Sequence, residues 1–171
     1  DDGSVAAVFC KMLPYDGTPI KETLMAQGRF NGDVCNPDYD FLDPRIARCY
    51  EAIGRTVGEW VRGSDCVAAM INHAWHEVFV MERLFEPDAD LVAYKTALSA
   101  VTKFSNNILF SVVEEICDGF REGGGECQQY SGLGQIREQI LATLVQQRNR
   151  FVYENQSWLL KGISKQTLVT A

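Results

Sequence analysis

The chain has 171 residues, of which 46% are hydrophobic, and its 16 basic and 23 acidic residues leave a formal charge of -7. That balance excludes a nonspecific nucleic-acid binder, which needs clustered Lys and Arg to neutralise phosphates. No apolar run approaches the roughly 18 to 20 residues of a spanning helix, so no transmembrane segment is expected, and the length suits a single domain over 1–171 with a core of its own.

In chain order, Ser4 to Leu13 places Val5, Val8, Phe9 and Met12 at helical spacing and stops before Pro14. Thr18 reads as an N-cap with Pro19 at the first helical position, which predicts a short helix through Ile20, Leu24 and Met25 ending near Gly28. Residues 29–42 form a loop with Cys35, Pro37 and several aspartates, and a disulfide is expected to hold it. Asp43 and Pro44 repeat the cap-then-proline signal. Ile46, Cys49, Ile53, Val57, Trp60 and Val61 follow on one helical face as far as Gly63.

Ser64 is the expected cap of the next helix, whose stripe runs through Val67, Met70, Ile71, Ala74, Val78, Met81 and Phe85 until Glu86-Pro87. Asp88 or Asp90 starts the longest periodic segment, with Leu91, Tyr94, Leu98, Val101, Ile108, Val112, Ile116 and Phe120 aligned. Ser105-Asn106-Asn107 is expected to bend it. Gly123-Gly124-Gly125 marks a turn. Beyond Gly132 and Gly134, a last long helix carries Ile136, Ile140, Leu144, Val145, Phe151, Val152 and Leu159 to near Gly162, with a loosely held tail from Ile163. No segment alternates apolar and polar residues as a strand would. The expected fold is all-α, an antiparallel bundle of five or six helices.

Cys10, Cys35, Cys49, Cys66, Cys117 and Cys127 are even in number and lack the repeated close spacing of a zinc site, so three disulfides stapling the bundle are expected. Six cysteines allow 15 connectivities. The pair closest in sequence, Cys117 and Cys127, flanks the triple-glycine turn and is the preferred bridge. The sequon Asn155-Gln156-Ser157 and the start at Asp1-Asp2-Gly3, which has no initiator Met, agree with a secreted, extracellular glycoprotein.

Catalytic chemistry is sparse. The two histidines, His73 and His76, share a helix with Glu77, and a spacing of three can put both imidazoles on one face, so a metal site there is the weak enzymatic alternative. Asp33, Asp38, Asp40 and Asp43 invite calcium but lack the glycine and terminal glutamate of an EF-hand loop. There is no Gly-x-Ser-x-Gly elbow and no phosphate loop, so neither an enzyme nor a cofactor is expected.

Two functional classes remain. The first is a non-enzymatic interaction protein, a helical signalling ligand or effector that binds a partner protein through a few aromatic and arginine anchors, here Trp60 with Arg62, or Arg148, Arg150 and Tyr153. The alternative is an extracellular carrier of a hydrophobic small molecule or lipid, held between helices by aromatics among Trp75, Phe79, Phe104, Phe110, Tyr130, Tyr153 and Trp158. The acidic, helical, six-cysteine composition is similar to that of insect odorant-binding proteins, whose closely spaced second and third cysteines are absent here, so that likeness is one of composition.

Overall fold

Proline sets two of the helix starts. In the computed structural model, which describes residues 2–84, 91–122 and 130–161, α1 spans Pro19–Ala26 and α2 spans Pro44–Val61. Each opens on a residue whose missing N–H the first turn could not have used. α3 (Val67–Leu84), α4 (Leu91–Arg121) and α5 (Leu133–Glu154) follow, and a short α6 covers 156–161. Among the described residues the β pairing is limited to an isolated antiparallel bridge between Phe30 and Tyr39. The fold is an all-α helical bundle, as the periodicities predict. The triple-glycine turn, Cys127, the start at Asp88 or Asp90 and the tail from Ile163 lie outside the described residues.

The chain packs as two compact units, one formed by Asp1–Val8, Val57–Val112 and Gln129–Ala171, the other by Phe9–Thr56 and Val113–Gln128.

In the first unit α3 packs against α5. Its core takes Val67, Ile71 and Val78 from α3, Leu98 and Leu109 from α4, and Ile140, Leu144 and Phe151 from α5; all but Leu109 lie on the stripes read from the sequence, and Leu109 is buried where the stripe named Ile108, which is half-buried. Thr102, Ser105 and Asn106 on α4 are buried as well, and each of the three has a partner. The Trp60 indole donates to Ser105 Oγ at 3.0 Å, and the Trp75 indole donates to Thr102 Oγ1 at 3.2 Å. α4 runs through Ser105-Asn106-Asn107 without a break. The polar groups at 105 and 106 are aimed at neighbouring chain.

The first of these neighbours is the N-terminal segment, which is irregular, with bends at residues 3–5, and not the helix its spacing predicts. Ala7 N–H donates to Asn106 Oδ1 at 2.8 Å, and Asn106 Nδ2 donates to Val5 C=O at 3.0 Å. One amide side chain thus does for this segment what a neighbouring strand would do. Val5 and Val8, two of the residues that suggested a helix, are exposed. Ser99 Oγ also donates to Asp2 C=O at 2.7 Å. Gly3 fits here at positive φ, where an added Cβ would lie 2.4 Å from Ser99 Oγ.

In the second unit the loop of 29–42 is fixed by its own backbone. Asn31 N–H donates to Asp38 C=O at 2.9 Å and Asp40 N–H to Arg29 C=O at 2.8 Å. The Asp33 carboxylate accepts from the N–H groups of Cys35 and Asn36 at 2.8 and 2.7 Å. Gly32 lets the two sides meet, since a Cβ there would come within 2.1 Å of Asp38 N. No disulfide is needed to explain the loop's order, contrary to expectation.

Disulfide stapling is not seen. Among the described residues no cysteine pair is at bonding distance: Cys10 and Cys35 are exposed, Cys66 is buried, and Cys49 and Cys117 are half-buried. The expected Cys117 to Cys127 bridge lies outside the described residues. Cys66 also replaces Ser64 as the residue capping α3. Its C=O accepts from Met70 N–H at 3.0 Å and its sulfur from Ala69 N–H at 3.3 Å. This satisfies donors that a helix start otherwise leaves open.

Candidate functional site

The second unit holds an open-sided groove of about 920 Å³. One wall is the extended stretch from Cys10 to Tyr15, another is the loop through Pro37, Tyr39 and Phe41, and the floor is the first half of α2 with Ala47, Tyr50 and Glu51. Pro14 forbids helix continuation, and the extended backbone presents Met12, Leu13 and Tyr15 to solvent along its rim.

Lys11 organises these walls. Its ammonium lies 4.4 Å from the Tyr39 ring centre and 4.9 Å from that of Phe41. It also donates to Tyr39 C=O and, at 2.5 Å, to Asp38 Oδ1. Its backbone N–H donates to the Tyr50 hydroxyl at 3.1 Å. Tyr39 meets Phe41 edge-on at 5.6 Å, and Phe41 meets Tyr50 at 5.7 Å. The ammonium is thus shared by two aromatic faces, a carbonyl and a carboxylate of one loop, and together with the backbone bond to Tyr50 it lets Lys11 tie three chain segments together. The Lys11 hydrogen bond holds the Asp38 carboxyl below its ordinary range, helped by the Tyr39 N–H. Within the groove Lys11 and Asp38 pair with each other. The rest of the lining combines apolar and aromatic side chains with two exposed acids, Asp40 and Glu51.

The residues singled out in the sequence are not brought together there. Trp60 is 3% exposed and bonded to Ser105, so it is a core residue and not a surface anchor; its burial follows from its place on the apolar stripe of α2. Arg62 is exposed at the end of that helix. Arg148 is clamped to Glu77 through Nε at 2.9 and 3.0 Å, and Arg150 pairs with Glu154 one turn away at 2.8 Å. Tyr153 is exposed on α5. Asn155, the sequon residue, ends α5 with its Nδ2 donating to Phe151 C=O at 2.9 Å, which divides the single long helix expected to Gly162 into α5 and α6.

His73 and His76 are exposed, and Glu77, their expected third ligand, is engaged by Arg148. Among the described residues no three His, Cys, Asp or Glu side chains gather to hold a metal ion. Of the aspartates considered for calcium, Asp33 closes its own turn, Asp38 pairs with Lys11 and Asp43 pairs with Arg45.

The carrier's aromatics do not converge either. Phe79, Phe104 and Phe110 are exposed, while Trp75 and Trp158 pack separately, against Thr102 and against Phe151. Among the described residues of the first unit, a space of about 270 Å³ is lined by Val101, Phe104 and Ile140, another of about 120 Å³ by Tyr94, Arg150 and Phe151, and an open surface hollow of about 780 Å³ lies along α5 beside Leu141, Val145 and Tyr153. No helix of the described residues is long and apolar enough to cross a membrane.

The groove residues Lys11, Tyr39, Phe41 and Tyr50 were not legible as a site. Their sequence signal was only the aromatic pair Tyr39 and Phe41 in an aspartate-rich loop, and the approach of Lys11 depends on the fold. No family model matches this sequence, and no curated protein or solved structure is significantly similar to it.

Proposed function

We propose that this chain is a secreted, non-enzymatic interaction protein that receives an apolar segment of a partner protein in the aromatic groove of its second unit. The observation that carries the reading is the division of labour in that groove. Lys11 and Asp38 neutralise each other, while Met12, Leu13 and Tyr15 stand exposed on the rim beside Tyr39, Phe41 and Tyr50. Contiguous exposed apolar surface of this kind is a mark of protein recognition, and aromatic residues are the usual anchors of such contacts. Extracellular localisation rests on the even cysteine count and the sequon.

A lipid carrier is less well supported, because small-molecule sites are concave, occupy about 300 to 1,000 Å³ and enclose most of the ligand. Among the described residues, the spaces between helices in the first unit, about 270 and 120 Å³, fall below that range, and the larger hollows, along α5 and in the second unit, are open to solvent.

The test is native mass spectrometry of the chain recovered from the medium of secreting cells, together with binding of the labelled chain to intact target cells. An empty chain of 19.2 kDa that binds saturably, with binding lost on Tyr15→Ala combined with Met12→Ala, supports the proposal. A co-purifying lipid, or binding indifferent to those substitutions, overturns it.

A further inference from the structure

We propose that Cys49 and Cys117 are a disulfide-forming pair that ties the first half of α2 to the last turns of α4 within the second unit. Their sulfurs lie 3.8 Å apart although the residues are 68 apart in sequence. A bond needs about 2.0 Å between sulfurs, so the remaining approach is about the reach of side-chain rotation on two helices that already face each other. Both residues are half-buried. They are open to a small thiol reagent yet seated against the protein, whereas Cys66 is buried with its sulfur bonded to Ala69 N–H, and Cys10 and Cys35 are exposed.

The chemistry is thiol–disulfide exchange with a small-molecule disulfide such as oxidised glutathione. One protein thiolate attacks the glutathione disulfide, forming a mixed disulfide and expelling one glutathione thiolate. The second protein thiolate then attacks the protein sulfur of that mixed bond and expels the other glutathione. Two protein thiols lose two electrons and two protons in total, and one glutathione disulfide is reduced to two thiols.

The inference uses the secreted reading only for the compartment that supplies the oxidant, and it is tested apart from it. The full chain is equilibrated in a glutathione redox buffer, blocked with an alkylating reagent and digested with trypsin without reduction. Cleavage after Arg48, Arg55, Lys103 and Arg121 leaves Cys49, Cys117 and Cys127 on three different peptides. The expected product is peptide 49–55 joined to peptide 104–121, about 2 Da lighter than the two thiol peptides together. The oxidised chain should also unfold at a higher urea concentration than the reduced chain, and Cys49→Ser and Cys117→Ser should abolish that shift equally.

Recovery of Cys117 joined to Cys127, or of Cys49 and Cys117 both alkylated, overturns the pairing. If the bond forms in the redox buffer but both thiols are free in protein isolated from its natural source with the alkylating reagent present throughout, the pairing stands and the secreted reading fails.

Discussion

The Trp60 indole N–H and the Ser105 hydroxyl meet at 3.0 Å, with both side chains buried in the first unit. A buried donor whose acceptor is deleted retains its desolvation penalty, about 1 to 3 kcal/mol. Ser105→Ala should therefore lower unfolding free energy by about that amount, measured by urea denaturation. Trp60→Phe should remove most of the additional effect of Ser105→Ala, because the orphaned donor is then gone. Full additivity of the two substitutions would show that the hydrogen bond contributes nothing.

Asn106 offers a test confined to one segment. Its amide pairs with both Ala7 N–H and Val5 C=O. Asn106→Asp keeps the acceptor but removes the donor. Asn106→Ala removes both, and should speed hydrogen exchange at the Ala7 amide by about tenfold or more, while Asp should have a smaller effect there. Unchanged exchange in the alanine variant would mean that the segment is held by something else.

Tyr94 is buried and stacked on Phe151 at 4.7 Å, and its hydroxyl has no hydrogen-bond partner. Burial, reinforced by the Glu77 carboxylate, pushes its pKa up to about 12. An ultraviolet tyrosine titration should show one ring ionising well above the ordinary value of about 10, and Tyr94→Phe should remove that component. The native state holds this proton more tightly than the unfolded chain does. Its contribution to stability is therefore complete below about pH 10 and declines as the pH rises toward the folded-state value. Because the hydroxyl is unpaired, Tyr94→Phe should leave stability at neutral pH unchanged or raise it.

Asp38 gives the opposite pH dependence. Its folded pKa is depressed, first by the Lys11 hydrogen bond, so its contribution is present above the unfolded value of about 4 and disappears as the pH falls through the lower folded value. The urea midpoint of the native chain should decline from about pH 5 downward more steeply than that of Asp38→Asn. Parallel curves would show that the pair contributes nothing to folding. High salt should flatten the difference, since the Asp38 side chain is largely exposed.

The helices were legible because their apolar residues follow one period over many turns. Val67, Ile71, Ala74 and Val78 were read as one face and are one buried face. Proline at 19 and 44 located two starts to the residue. Ser4 to Leu13 misled because a short run of apolar residues at helical spacing does not show whether a tertiary partner will claim its backbone, and here Asn106 does. The polar triplet at 105 to 107 does not break α4, and the side chains of Ser105 and Asn106 take partners distant in sequence, Trp60 and the backbone of Val5 and Ala7. The groove was hidden for the same reason, since the contact between Lys11 and Tyr39 joins segments whose meeting no local period records.

Gly3 gives the N-terminal segment an indexing notch. Sliding the chain by one position in either direction would bring Asp2 or Ser4, each with a Cβ, to the place where Ser99 leaves space for none. A single alignment therefore survives, the one that delivers Val5 and Ala7 to Asn106. Lengthening or shortening the stretch between positions 3 and 5 by one residue would uncouple notch from clasp, even with every side chain in both left unaltered.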